Sequence, residues 1–232
     1  MNKEKLKNIF LYYKEKKDRK LYEKIESKEY KIIKILKNDQ RSYVALINIE
    51  GENLIYKQPI EKNSRKWQRF LSIFRGSESR REFQNIEKIN EVGLNGATPH
   101  LAVEKKKGLF VVDSYLIYSY IDGRESSFKD IEIISQELKK IHDLGFLHGD
   151  SHLNNFLIKD NKVYLIDTKL EKNKYGNFGK SFEFMYLEES CPEEIDFDKD
   201  NIYFEGARML RGYLTLLSKI KIKLKNIRRR KK

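Results

Sequence analysis

The chain has 232 residues, 39% of them hydrophobic, 12% aromatic and 36% charged, enough for one good-sized domain or two lobes sharing a cleft and well above the disordered range. A single cysteine, Cys191, excludes an internal disulfide and any cysteine-based zinc site, and three prolines exclude a Pro-rich architecture. The net charge is +13, which excludes an acidic surface as the dominant feature and favours an anionic partner.

The Lys- and Glu-rich segment to Tyr30 reads as a polar helix. Strand-like runs follow at 30–36, 43–49 and 53–57, separated by turn residues at 38–40 and 51–53; together they predict an antiparallel meander. A helix over 77–92 stops at Gly93. Runs 101–106 and 109–121 form a second strand pair around Gly108. The stretch 128–144 is helical, apolar at Ile131, Ile134, Leu138 and Ile141, and ends at Gly145. Two short strands, 156–158 and 163–166, flank the turn Lys159-Asp160-Asn161-Lys162. A last helix covers about 201–226. This order predicts an α+β fold in two lobes. Residues 1–121 make an N-lobe, a five-stranded antiparallel sheet plus a helix, with a basic insertion at 61–76. Residues 122–232 make a reduced helical C-lobe with a basic C-terminal helix.

The positive charge is clustered. Residues 1–20 carry eight bases and three acids, 61–81 seven and two, and 219–232 nine and none, so the other 177 residues net −6. Trp67, Phe70, Leu71 and Phe74 fall at helical spacing, with Arg65, Lys66, Arg69 and Arg75 around them. Leu214, Leu217, Ile220 and Leu224 repeat similarly before Arg228-Arg229-Arg230-Lys231-Lys232. Both segments suit a membrane interface, unless their apolar faces pack onto the rest of the protein. No nucleic-acid-binding motif accompanies the charge, so nucleic acid is not an expected partner. No apolar run approaches the roughly eighteen residues that span a bilayer. The run Ile9–Tyr13 is too short for a signal-peptide core. The expectation is a cytoplasmic protein held peripherally at an anionic membrane surface.

The densest chemistry lies in FLHGDSHLNNFLIKDNKVYLIDTK. His148-Gly149-Asp150 precedes Asn155 by the spacing of a kinase catalytic loop, 148–155, with Gly149 where protein kinases often carry Arg. Asp167 follows at the end of a strand, reading Asp167-Thr168-Lys169. Phosphoryl transfer needs this grouping: a carboxylate, Asp150, to meet the acceptor hydroxyl, and Asn155 and Asp167 to hold Mg2+ against the phosphates of ATP. His148 and His152 lack a nearby third ligand for zinc. Lys57, ending the third strand, matches the lysine that pairs with the α/β-phosphates, and Glu82 matches its helix partner, with Glu78 and Glu87 as rivals. The run Tyr118-Ser119-Tyr120-Ile121 before Asp122-Gly123 resembles the hinge whose backbone reads adenine, which marks Ser119 and Ile121. The first turn, Lys37-Asn38-Asp39-Gln40-Arg41-Ser42, has no glycine, so the Gly-rich phosphate loop is absent and Arg41 or Ser42 is left to substitute. The pattern Arg-Glu-Phe, Gly93 and Pro99 resembles short kinases of the RIO and aminoglycoside-phosphotransferase type.

Over roughly residues 6–190 the chain resembles bacterial lipopolysaccharide core heptose(II) kinases, in YVALINIEGENLIYKQPIEKNSRKWQRFLSIFRGSESRREF, LHGDSHLNNFLI and YLIDTKLEKNKYGNFGKSFEFMYL. The resemblance implies a two-lobed protein-kinase-like fold. It also implies ATP-dependent phosphorylation of a heptose hydroxyl in the lipopolysaccharide core glycolipid, at the cytoplasmic face of the inner membrane. The rivals are a small RIO-like protein Ser/Thr kinase, an aminoglycoside-type phosphotransferase and a non-catalytic membrane-bound module. Only 65 residues follow Asp167, short for peptide binding, and a polycationic acceptor would suit an acidic cleft. The complete set Lys57, Glu82, Asp150, Asn155 and Asp167 argues against lost catalysis.

Overall fold

A computed structural model describes residues 1–61, 72 and 75–230, the side chains of 218 and 221–230 excepted. The segment carrying Arg65, Lys66, Trp67, Arg69, Phe70, Leu71 and Phe74 lies outside the described residues. The chain divides into two compact units, Met1–Arg124 with Ile158–Ile166, and Glu125–Leu157 with Asp167–Lys232.

The first unit is built on an antiparallel sheet of seven strands: β1 (Asn2–Leu6), β2 (Ile9–Tyr13), β3 (Lys31–Asn38), β4 (Tyr43–Ile49), β5 (Glu52–Gln58), β6 (Pro99–Lys107) and β7 (Phe110–Ser119). Their order is β1-β2-β6-β7-β5-β4-β3. The meander and the 101–121 strand pair are where the sequence places them. The first thirty residues are not one helix. A β1–β2 hairpin turns at Lys7, in left-handed backbone at φ +52, and only then comes helix α1 (Lys20–Glu26). The run IFLYY that begins at Ile9 is β2, and it pairs with β6 from Ile9↔Lys105 to Tyr13↔Leu101. The two added strands turn the expected five-stranded sheet into seven.

Both faces of this sheet are buried, as the two-residue side-chain period requires. Leu11, Ile47, Leu54, Leu101, Val103 and Ile117 point to one face, where Ile25 of α1 joins them. Tyr12, Ala102 and Leu116 point to the other, against Phe83 and Ile86 of helix α2 (Glu78–Glu91). Ser77 caps α2 by accepting the Arg80 N–H at 3.0 Å. Each fully buried Leu or Ile contributes about 1.5–3 kcal/mol, and truncating Leu101 to Ala would cost about 2–5 kcal/mol. Strand β3, at the sheet edge, leaves Ile32, Ile33, Ile35 and Leu36 exposed. Two register shifts and the interleaved Lys31, Lys34 and Lys37 blunt that edge against further pairing.

In the second unit a 3-10 turn over Phe128–Asp130 leads into helix α3 (Ile131–Asp143), which buries Ile134, Leu138 and Ile141. The catalytic-loop segment and the hairpin of β8 (Phe156–Lys159) and β9 (Lys162–Leu165) follow, turning at Asp160 and Asn161 with φ +50 and +56. The distal part of that hairpin belongs to the first unit, where the Leu165 N–H donates to the Asn95 carbonyl at 2.9 Å. Helix α4 (Asn177–Glu188), absent from the sequence reading, and helix α5 (Ile202–Arg230) complete the chain.

Candidate active site

Lys57 is placed by strand register. It lies directly across from Leu116, and Leu116 packs on the α2 side of the sheet, so Lys57 shares that face. Glu82 precedes the buried Phe83 on α2. The Lys57 Nζ donates to Glu82 Oε1 at 2.7 Å, with the two side chains only 17% and 22% exposed. The rivals are engaged elsewhere: Glu78 accepts from Arg81, and Glu87 from the Met1 amino group at 3.2 Å. The start of α2 is itself anchored. Glu104, fully buried on β6, accepts the Ser77 N–H at 2.7 Å and the Tyr12 hydroxyl at 3.2 Å, and its charge favours the positive end of the helix. Burial, and then the Glu104 charge, push the Tyr12 phenol up to about 12.

The expected adenine-reading backbone is partly spoken for. The Ser119 N–H donates to the Thr98 carbonyl at 2.9 Å, and its hydroxyl accepts the Thr98 N–H at 2.7 Å. The Tyr120 N–H goes to the Asn53 carbonyl, and the Ile121 carbonyl accepts the Gly123 N–H. Among the described residues the Ile121 N–H has no partner. The turn that replaces a glycine loop is closed on itself. Asp39 accepts both the Arg41 and Ser42 N–H groups at 2.8 Å, which holds its carboxyl below the usual range. Those amides are therefore not presented to a phosphate; the Arg41 side chain is exposed and Ser42 is half-buried.

In the second unit His148 organises the loop. Its Nδ1 receives the Asp150 N–H at 3.4 Å, so the ring hydrogen sits on Nε2, which donates to Thr168 Oγ1 at 2.8 Å. The His148 carbonyl accepts the Lys169 N–H at 3.0 Å. Burial pushes the imidazole down to about 4, against the opposing pull of Glu183 and Asp150. The substitution of Gly for Arg at position 149 has a local reason. Its φ is +83, and a Cβ there would lie 3.1 Å from the Lys169 Cβ. Asn155 Nδ2 donates to the Asp150 carbonyl at 2.8 Å, which leaves Oδ1 as the oxygen for a metal. Asp167 sits in left-handed backbone at φ +50, a conformation Asp tolerates better than most residues and one that recurs at functional sites. Asn155 and Asp167 could offer two oxygens to an ion such as Mg2+, which keeps several waters and takes substrate phosphates rather than a protein cage. No cluster of three or more His, Cys, Asp or Glu side chains fit to hold a metal occurs among the described residues.

The sequence reading missed two residues that hold this loop, both on α4. Glu183, buried, accepts the His148 N–H at 2.9 Å and the Gly149 N–H at 2.6 Å, and His142 Nε2 donates to it at 2.9 Å. Tyr186 lies beside Asp150, and its phenol is raised by burial and then by that carboxylate. The guanidinium of Arg211, from α5, lies 5.1 Å from the Tyr186 ring centroid and grips Glu189 at 2.6 and 2.9 Å. The only sequence signal for α4 is the spacing Phe178, Phe182, Met185.

Residues 1–180 match a family described as "Lipopolysaccharide core biosynthesis protein (WaaY)". The chain is 32% identical over 143 residues to the lipopolysaccharide core heptose(II) kinase WaaY of Escherichia coli (strain K12), covering 59% of this chain and 62% of that protein. It is 26% identical over 168 residues to a second Escherichia coli protein of the same name, covering 67% and 72%. Among solved structures, one described as "WaaP in complex with acyl carrier protein" superposes with a TM-score of 0.51 at 15% identity, over 92% of this chain and 97% of that one. The fold is α+β and protein-kinase-like. No helix among the described residues is long and apolar enough to cross a membrane.

Proposed function

Because the chain belongs to the WaaY family of lipopolysaccharide core biosynthesis proteins, we propose that it is an ATP-dependent kinase acting on a heptose hydroxyl of the lipopolysaccharide inner core, at the cytoplasmic face of the inner membrane. The observation that carries this reading is the catalytic loop: the Asn155 amide fixed on the Asp150 carbonyl at 2.8 Å, followed by Asp167 in left-handed backbone.

In this reading the Asp150 carboxylate accepts a hydrogen bond from the acceptor hydroxyl and aims its oxygen at the γ-phosphorus of ATP. As the new O–P bond forms and the bond to the β-phosphate oxygen breaks, the hydroxyl proton passes to Asp150 and ADP leaves. Tyr186, beside the same carboxylate, helps hold its orientation. Glu82 keeps Lys57 extended toward the α/β-phosphates. Asn155 and Asp167 would hold a magnesium ion, which supplies charge neutralisation at the phosphates. The backbone of Ile121 would read adenine; Ser119, whose N–H and hydroxyl are occupied, supports that segment instead. The basic segments suit an acceptor that carries acidic groups in a membrane surface.

The test is purified protein with γ-labelled ATP and three acceptors: core lipopolysaccharide lacking the phosphate, a generic protein, and an aminoglycoside. Label in the first alone is the expected result. Label in the protein or the aminoglycoside instead would replace the acceptor class, and none anywhere would favour the non-catalytic module.

A further inference from the structure

Helix α5 is amphipathic in a way its packing makes definite. At 100° per residue, Phe204, Ala207 and Arg211 fall within about 60° of one another, and Met209, Tyr213, Leu216 and Ile220 fall within about 60° on the opposite side. The first set is the packed face. Phe204 meets Phe197 edge-on at 5.4 Å, Ala207 is fully buried, and Arg211 reaches Glu189 and Tyr186. The second set is bare: Met209 is 75% exposed, Tyr213 57%, Leu216 56% and Ile220 44%. A soluble helix normally turns its polar side outward; this one turns out a continuous apolar stripe four side chains long.

The charge beside that stripe selects its occupant. From Lys219 onward the chain has nine bases and no acid, and helix α5 continues through that stretch to Arg230. An apolar stripe with an aromatic near its middle, running into a dense cationic end, complements an acidic headgroup layer over an acyl interior. Nucleic acid would use the charge but leave the stripe bare. A second copy of the chain would cover the stripe but repel the +9 end.

We propose that α5 lies in the plane of an anionic bilayer on its Met209–Tyr213–Leu216–Ile220 face. This rests on the reading that the acceptor is a membrane glycolipid, and it adds which element meets that membrane. The same helix carries Arg211, which lies on the Tyr186 ring beside Asp150. Docking α5 therefore holds the catalytic loop at the surface where such an acceptor is displayed.

The experiment uses the full chain in flotation with phosphatidylcholine vesicles, with and without phosphatidylglycerol, at low and high salt. The parent should float only with the anionic vesicles, and less at high salt. A variant with Met209→Ser, Tyr213→Ser, Leu216→Ser and Ile220→Ser should partition at least about tenfold more weakly. A second variant, Arg228→Ser, Arg229→Ser, Arg230→Ser, lies beyond the stripe in sequence and should also float less, with most of its salt dependence gone. Both should keep the parent's circular dichroism and its phosphorylation of a soluble, deacylated core oligosaccharide. If no form phosphorylates that oligosaccharide while the vesicle pattern holds, the acceptor reading fails and the docking proposal stands. The proposal is overturned if the stripe variant floats like the parent. It is also overturned if sedimentation shows a parent dimer that the variant breaks, or if the parent ignores vesicles and binds an acidic protein such as acyl carrier protein through the stripe.

Discussion

The catalytic loop and the β3–β4 turn both serve phosphate in kinase-like folds, yet here they are built in opposite ways. The loop around His148 and Asp150 is held by distant groups: Glu183, 34 and 35 residues away, takes its backbone amides, and Thr168, 20 residues away, takes its imidazole. The turn at Asn38–Tyr43 is closed mainly by its own Asp39, is exposed from Asn38 to Arg41, and takes one hydrogen bond from outside on its backbone, from the Glu61 N–H to the Arg41 carbonyl. Long-range hydrogen bonds are therefore concentrated at the loop proposed to align the acceptor hydroxyl. An unsatisfied buried amide is costly, so a network that satisfies several at once fixes one loop geometry. The exposed turn has water as an alternative partner and fixes little.

That contrast can be broken at several points. Asp167→Ala should lower turnover by about a hundredfold or more while the thermal midpoint stays close to the parent's, measured with labelled ATP and any accepted acceptor. Glu183→Ala should act on the fold first. It strands two backbone N–H groups and His142, so denaturant unfolding should show a loss of about 3 kcal/mol or more. Equal stability in Glu183→Ala would show that the loop does not depend on α4.

The buried imidazole gives a pH signature. Folded His148 stays neutral down to about 4, whereas the unfolded residue takes its proton near 6.5. Between those values only the unfolded chain is protonated there, so the contribution is complete above about pH 6.5 and falls away as pH drops toward 4. The total is about 3 kcal/mol. Urea unfolding at a series of pH values should show this slope, and His148→Gln should flatten it. The smallest effect belongs to the turn. Asp39→Ala should leave the KM for ATP within about twofold of the parent and the thermal midpoint unchanged. A large rise in KM would give the turn a phosphate role after all.

Local pattern made much of this legible. Alternation in β4, β5, β6 and β7 and the stops at Gly93 and Gly145 put those elements within a few residues of their observed bounds. Spacing, with the order of the flanking helix and hairpin, singled out Asp150, Asn155 and Asp167 as candidates, and the Arg-Glu-Phe resemblance favoured Glu82, which the structure pairs with Lys57. The first strands were hidden because Lys and Glu dominate β1, and propensity outweighed the aromatic run of β2. Helix α4 was hidden because it opens at Gly176 with no side-chain cap and is crowded with aromatics. Glu183, Tyr186 and Glu104 could not be read at all. Glu183 acts through contacts 34, 35 and 41 residues away, Glu104 through contacts 27 and 92 away, and Tyr186 beside Asp150, and nothing in their own neighbourhood marks them.

The central claim is that Asp150 directs phosphate from ATP to a heptose hydroxyl. Mass-spectrometric mapping of core oligosaccharide after incubation with the parent and with Asp150→Asn tests it most directly. The account predicts one new phosphate on a heptose with the parent and at least about a hundredfold less with the variant. Equal phosphate from both proteins, or a phosphate on some group other than a heptose, would contradict it.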